Sequence, residues 1–279
     1  MKLYKKGVQV YIEHEGVFFA STMNWDALVN RPHLYPYLLK HLSDCSQINA
    51  MDEQGDWDPP IGSQELWAAG VTYLRSKEAR EKESAQSGGG SFYDKVYDAK
   101  RPELFFKSLP HRVAGNKSFV HIRRDSTWDV PEPELTLFVS SEGTIEGYTV
   151  GNDMSSRSIE GENPLYLAQA KVYDRSAALG PCLLIPENPI NADSLIQLKI
   201  CRDEQLIFSG ETSLSKMKRS LKELADFLML ETTFSNGVML MTGTGIVPPD
   251  EFTLQVHDRV EISIEHIGTL INHVQKINR

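Results

Sequence analysis

No apolar run in this 279-residue chain approaches the roughly 18 residues that a helix needs to span a bilayer, so no transmembrane helix is expected. The first stretch, MKLYKKGVQVYIEHEG, has lysines but no apolar core of signal-peptide length, and the expectation is a cytoplasmic protein without a membrane partner. Cysteine is scarce. Cys45, Cys182 and Cys201 are odd in number, far apart and without metal-ligand spacing, which reads as reduced thiols and not as a disulfide framework. Basic charge is in deficit: 29 Lys and Arg against 38 Asp and Glu give a net charge of −9, which argues against a nucleic-acid partner. It leaves anionic substrates open, because a metal or a local basic residue reverses the field inside a pocket. The histidines form no HxxxH or HExxH pair, and there is no GxSxG elbow, Walker loop or dinucleotide fingerprint. Internal repeats and low-complexity tracts are missing too.

What is present is length enough for one large domain, or one large and one small, with an ordinary globular share of apolar residues (41%). Residues 1–60 read as a small unit: a hairpin in VQVYIEHEGVFFAS turning at Glu15 and Gly16, then a helical stretch interrupted by prolines. The polar run at 51–63 reads as a linker into a larger unit, 61–279. There, a charged helical segment at 75–84 precedes AQSGGGS, whose three glycines suit either a mobile connector or a plain surface loop. Hairpins are expected in LTLFVSSEGTIEGYTVGND and in SLIQLKICRDEQLIFSG, the latter turning at Asp203 and Glu204. Leu221, Leu224, Ala225, Leu228 and Met229 keep the spacing of one helix face, and Val260, Ile262 and Ile264 alternate as a half-buried strand. Short hairpins with few helices favour a β-rich α+β fold.

The stretch VPEPELTLFVSS, residues 130–141, poses an electrostatic problem. Leu135, Leu137 and Val139 alternate with Thr136, Phe138 and Ser140 as in a buried strand, and Glu132 and Glu134 stand at its entrance on one face. In GYTVGNDMSSR, Tyr148 to Val150 read as the return arm, so closing the hairpin brings Asp153 beside both glutamates. Three carboxylates with no basic partner evident suit a hard cation such as Mg²⁺; the alternative is a set of solvated strand-edge charges. Lys171, in YLAQAKVYDRSAALGP, either pairs with a carboxylate, reaches an anionic substrate or lies on the surface. The loop MTGTGIVP, at 241–248, is either a carboxylate-binding turn or a plain one.

Five segments in order, PEPELTLFV, GYTVGNDMSSRS, AKVYDRSAALGP, LMTGTGIVP and VEISIEHIGTLIN, resemble signature segments of the fumarylacetoacetate hydrolase superfamily. The resemblance implies a β-rich α+β fold, a mixed β-sheet roll around a metal site, with a small N-terminal α+β domain and a homodimer or higher homo-oligomer. It implies Mg²⁺, with Mn²⁺ or Ca²⁺ as substitutes, held by Glu132, Glu134 and Asp153. Four further segments, ELWAAGVTYLRSKEARE, YDKVYDAKRPELFFKSLPHRV, IRRDSTWDVPEPE and GENPLYLAQAK, are similar to the branch containing 2-keto-3-deoxy-D-arabinonate dehydratase. By that resemblance Lys171 and Glu103 fall at catalytic positions, and Thr72, Thr244 and Arg157 at substrate-binding ones. Hydrolytic members often carry a water-activating His and Glu three and six residues after a tyrosine. Here Tyr73 is followed at those places by Ser76 and Ala79, with Glu78 one position away, which counts against C–C hydrolysis. Ser158 stands where the family often has Asp.

The expected reaction is Mg²⁺-dependent dehydration of a 2-keto-3-deoxypentonate to 2-oxoglutarate semialdehyde, through an enolate stabilised by the metal. A base takes a C3 proton and an acid helps the C4 hydroxyl leave; Glu103 and Lys171 share these roles, and the residues do not say which does which. Two alternatives use the same centre: an acylpyruvate-type hydrolase or oxaloacetate-type decarboxylase, and a silent binding protein for small keto acids.

Overall fold

The computed structural model describes residues 1–74 and 96–277. The expected charged helix at 75–84, the glycine connector at 88–90, and Ser76, Glu78 and Ala79 lie outside them.

Local signals are obeyed at the start of the chain. Strands β1 (Lys2–Lys6), β2 (Gln9–His14) and β3 (Val17–Ser21) form an antiparallel meander. The β2–β3 turn has φ of 52° at Glu15 and 79° at Gly16, a two-residue geometry that follows the twist of the strands. Helices α1 (Trp25–Val29) and α2 (Leu34–His41) are parted by the segment holding Pro32, and β4 (Ser46–Ile48) pairs back onto β3. After the polar run come β5 (Glu65–Gly70), β6 (Glu103–Ser108), β7 (Val113–Ala114) and β8 (Ser118–His121).

The expected long hairpin is β9 (Asp129–Val139) with β10 (Ile145–Ser156). Two short helices, α3 (Arg157–Glu162) and α4 (Leu167–Lys171), lead to β11 (Ala177–Leu184). The second expected hairpin follows as β12 (Leu195–Arg202) and β13 (Gln205–Ser213). The amphipathic helix α5 (Leu221–Met229) is capped by Ser220, whose hydroxyl accepts from the Glu223 N–H. The chain closes with β14 (Val238–Met241), β15 (Arg259–Ile264) and β16 (Gly268–Gln275).

These strands make two sheets. The larger runs β4-β3-β2-β1-β11-β10-β9-β14-β5-β6, so residues 1–60 and the rest of the chain share one sheet through the β1–β11 pairing. The strand β7, which follows β6 closely, pairs in parallel with β11. The chain therefore leaves the β6 edge and returns to β11, curling the portion from β11 to β6 into a roll. The smaller sheet, β13-β12-β15-β16-β8, packs on the outside. Leu135, Leu137 and Val139 of β9 join Ile196, Leu198 and Ile200 of β12, with Val260, Ile262 and Leu270, in one core. Phe138, Met239, Met241, Leu66, Ala68 and Ala177 belong to another, which also takes Leu28, Leu34 and Leu38 of the helices. Along β9, odd positions thus face the second sheet and even positions face the roll interior, where Glu132 and Glu134 lie.

The strand is longer than its sequence suggested. It begins at Asp129, so the glutamates stand inside it and not at its entrance, with Pro131 and Pro133 incorporated. Two backbone bonds explain the tolerance. The carbonyls of Asp129 and Leu135 accept from Leu254 and Thr242, away from β10, so odd-numbered residues turn their backbone groups to the side where β14 has ended. A proline there removes no rung of the β9–β10 ladder.

Candidate active site and metal centre

In the β9–β10 register Asp153 is directly opposite Glu132, and Gly151 is opposite Glu134. Directly opposed residues of an antiparallel pair share a face. The hairpin alone therefore assembles the triad: Glu132, Glu134 and Asp153 are buried, each offering an oxygen within 4.8 Å of the others. Gly151, on β10, packs closely against its neighbours on β9 and β14. A Cβ there would lie 2.3 Å from Thr136 Oγ1 and 3.0 Å from Met241 Cε.

Charges this deep need compensation, and the structure supplies basic partners that the spacing of the carboxylates did not make evident. Lys171 Nζ donates to Glu132 Oε2 at 2.6 Å, to Asp153 Oδ2 at 3.0 Å and to Ser155 Oγ, with Glu160 Oε1 3.6 Å away. Arg157 Nη2 donates to the other oxygen of Glu132, at 2.6 Å, and its Nε is 3.8 Å from Glu160 Oε2. Lys107 Nζ lies 2.5 Å from Asp153 Oδ1. The Gly243 N–H, from the Thr/Gly loop after β14, donates to Glu134 Oε2 at 2.6 Å. That loop does hold a carboxylate, but it is the protein's own.

Glu134 bears the strain of this crowding. Burial, then the like charges of Asp153 and Glu132, push its carboxyl well above the usual carboxylate range, against the pull of Lys171 and the Gly243 amide. A divalent ion held by these carboxylates would relieve that repulsion. An all-carboxylate set of hard oxygen donors fits Mg²⁺, so Glu132, Glu134 and Asp153 are the residues that would hold it.

The remaining predicted residues fall in three places. Lys171 and Arg157 meet at Glu132. Glu103 opens β6 opposite Gly70, and its carboxylate lies over that glycine, where a Cβ would come within 2.0 Å of Oε2. It shares the interior face of β6 with Phe105, whose ring centroid is 5.8 Å from Lys171 Nζ. Thr72 and Thr244 flank the Gly243 turn. The Thr72 hydroxyl donates to the Thr242 carbonyl at 2.7 Å, and the Thr244 hydroxyl accepts from the Ile246 N–H at 3.2 Å. Ser158, at the position that differs from the family, bonds to Ser126 at 3.0 Å.

Two participants were missed by sequence reasoning: Lys107 and Glu160. Lys107 left a readable trace, because Glu103, Phe105 and Lys107 alternate on one strand and a charged residue is out of place in LFFKS. For Glu160 there was no such signal.

Residues 67–275 match the family described as fumarylacetoacetate (FAA) hydrolase C-terminal. A protein of Haloferax volcanii named "Probable 2-keto-3-deoxyxylonate dehydratase" is 48% identical over 219 residues, 78% of this chain and 74% of its own. The 2-dehydro-3-deoxy-D-arabinonate dehydratase of Saccharolobus solfataricus is 41% identical over 244 residues, 87% of this chain and 79% of its own. A solved structure of 2-keto-3-deoxy-D-arabinonate dehydratase complexed with magnesium and 2,5-dioxopentanoate superposes with a TM-score of 0.86 at 33% identity, each chain covered over 100% of its length.

Proposed function

Since the chain belongs to the fumarylacetoacetate hydrolase family, and its roll holds three buried carboxylates beside a lysine, we propose that it is a Mg²⁺-dependent dehydratase of 2-keto-3-deoxy sugar acids. A 2-keto-3-deoxypentonate would give 2-oxoglutarate semialdehyde. The observation that carries this reading is the buried triad in a chain 41% and 48% identical to proteins named as such dehydratases. When bound, the ion supplies Lewis acidity to the 2-keto carboxylate and so acidifies the C3 protons.

The side chains divide the proton work. Lys171 faces three acceptors, so its ammonium is a donor and not a base. It delivers the proton with which the C4 hydroxyl leaves as water. That departure follows removal of the C3 proton by Glu103, whose electron pair forms the C3–C4 double bond, and with a hydroxyl at C5 the dehydrated product tautomerises to the aldehyde. Arg157, bonded to Glu132, orients that ligand from the side opposite Lys171, and Thr72 and Thr244 line the Gly243 turn where the substrate carboxylate would rest.

The working unit is a homodimer or larger homo-oligomer, as the family resemblance implies; a monomer in sedimentation would contradict it. Placement in the cytoplasm is supported by three cysteines that form no disulfide, and by the lack, among the described residues, of a helix long and apolar enough to cross a membrane. Fractionation of cells tests it.

The decisive assay supplies purified protein and Mg²⁺ with a 2-keto-3-deoxypentonate or with an acylpyruvate, in D₂O, and follows products by NMR. Semialdehyde from the sugar acid alone is expected, with Glu103→Gln losing deuterium uptake at C3. Pyruvate released from the acylpyruvate would overturn the reading in favour of a hydrolase.

A further inference from the structure

Burying an ammonium is costly unless each of its protons finds a partner. Lys107 on β6 is fully buried, at 0% exposure. Its Nζ meets Asp153 Oδ1 at 2.5 Å, the Met154 carbonyl at 3.0 Å and the Lys171 carbonyl at 2.6 Å. Two of these neighbours are carbonyls that accept its hydrogen bonds and the third is a carboxylate oxygen in ion-pair contact, so the protonated ammonium is the form that fits.

The importance of these acceptors is where they lie. In the order of the sheet, β5, β14 and β9 separate β6 from β10, yet Lys107 touches Asp153 and Met154 of β10. It spans the interior of the roll at the seam where the chain turns back toward β11. Its third acceptor is the last residue of α4, and the final carbonyls of a helix have no partner within it. Lys107 therefore fixes the backbone from which the Lys171 side chain extends. Asp153 is also gripped at both oxygens, by Lys107 at Oδ1 and by Lys171 at Oδ2. Four residues before Lys107 on the same strand stands Glu103, the register of β6 against β5 shifting at Lys107.

We propose that Lys107 is a positioning residue, which ties the closing strand of the roll to Asp153 and to the Lys171 backbone and so sets the spacing between the metal centre and Glu103. Its catalytic meaning rests on the proposed dehydration; its effect on metal binding does not.

The test compares the whole enzyme with Lys107→Met, which keeps length and loses the donors. Mn²⁺ binding is read by electron paramagnetic resonance, and steady-state rates are measured with a 2-keto-3-deoxypentonate at saturating Mg²⁺. The expected result is Mn²⁺ affinity weakened about tenfold or more, as when a partner of a metal ligand is lost. With it should come a kcat lowered on the order of 100-fold, as for misplaced reacting groups, and a substrate KM that barely moves. A folded variant with wild-type Mn²⁺ affinity and kcat overturns the proposal, even if its melting temperature falls. If Lys107→Met does not fold, Lys107→Arg decides: it keeps the charge but cannot aim three protons from one atom. The same losses support positioning, whereas wild-type values, or failure of both variants to fold, assign Lys107 to the fold alone. Should the wild-type enzyme leave the pentonate untouched, the proposed function fails, and the Mn²⁺ comparison still judges Lys107.

Discussion

Glu134 is the residue on which the metal centre turns. Its neighbours Asp153 and Glu132 raise its affinity for a proton, and a divalent ion competes for the same oxygens. Mg²⁺ binding should therefore release a proton, and affinity should fall about tenfold per pH unit below the carboxyl's raised pKa. Calorimetry in buffers of differing ionisation enthalpy measures this; heats that do not depend on the buffer would mean that Glu134 is already ionised in the free protein. At this scale the acidic side chains are legible in the sequence, because residues two apart on a strand and a residue across a hairpin meet by local geometry. Of the cations, Lys171 and Arg157 were reached through the family resemblance and Lys107 not at all. Lys107, Arg157 and Lys171 come from β6, α3 and α4, and nothing periodic in the chain links those elements to Glu132 or Asp153.

The element that presents the site is the β9–β10 hairpin. Its prolines are harmless because they face the side beyond the end of β14, and its glycine is needed because a Cβ at Gly151 would meet Thr136 Oγ1 and Met241 Cε. Gly151→Ala would press a methyl on Thr136 Oγ1, an atom buried within β9. A loss of about 1–3 kcal/mol in stability is expected from such overpacking, together with weaker Mg²⁺ binding, since β9 carries two of the ligands. Urea unfolding and metal titration of the variant check this; an unchanged midpoint and unchanged affinity would show that the strand gives way freely. The hairpins, α5 and β15 are all readable in the sequence, because each is specified by its own alternation, turn or cap. The length of β9 is not, because proline argues against a strand until the neighbour on each side is known.

At the scale of the whole molecule, two sheets sandwich the odd positions of β9 while the roll encloses the even ones. The first residue of that strand makes stability depend on pH. Burial pushes the Asp129 carboxyl from 3.8 up to about 6. A carboxyl raised on folding contributes stability that is fully present below pH 3.8 and lost as pH climbs through about 6. Asp129→Asn should thus gain about 2–3 kcal/mol at pH 7.5 and almost nothing at pH 4. Urea unfolding at the two values decides; an equal gain at both would mean that burial of the charge is not the cause. The sequence by itself determined the hairpins, the in-register carboxylates and the family, since all depend on neighbours in the chain or on segments that keep their order. Only the tertiary structure decided which cations balance those carboxylates. That outcome depends on how the sheet curls, which carries β6 back across the roll to β10, and a curl is a property of all the strands together.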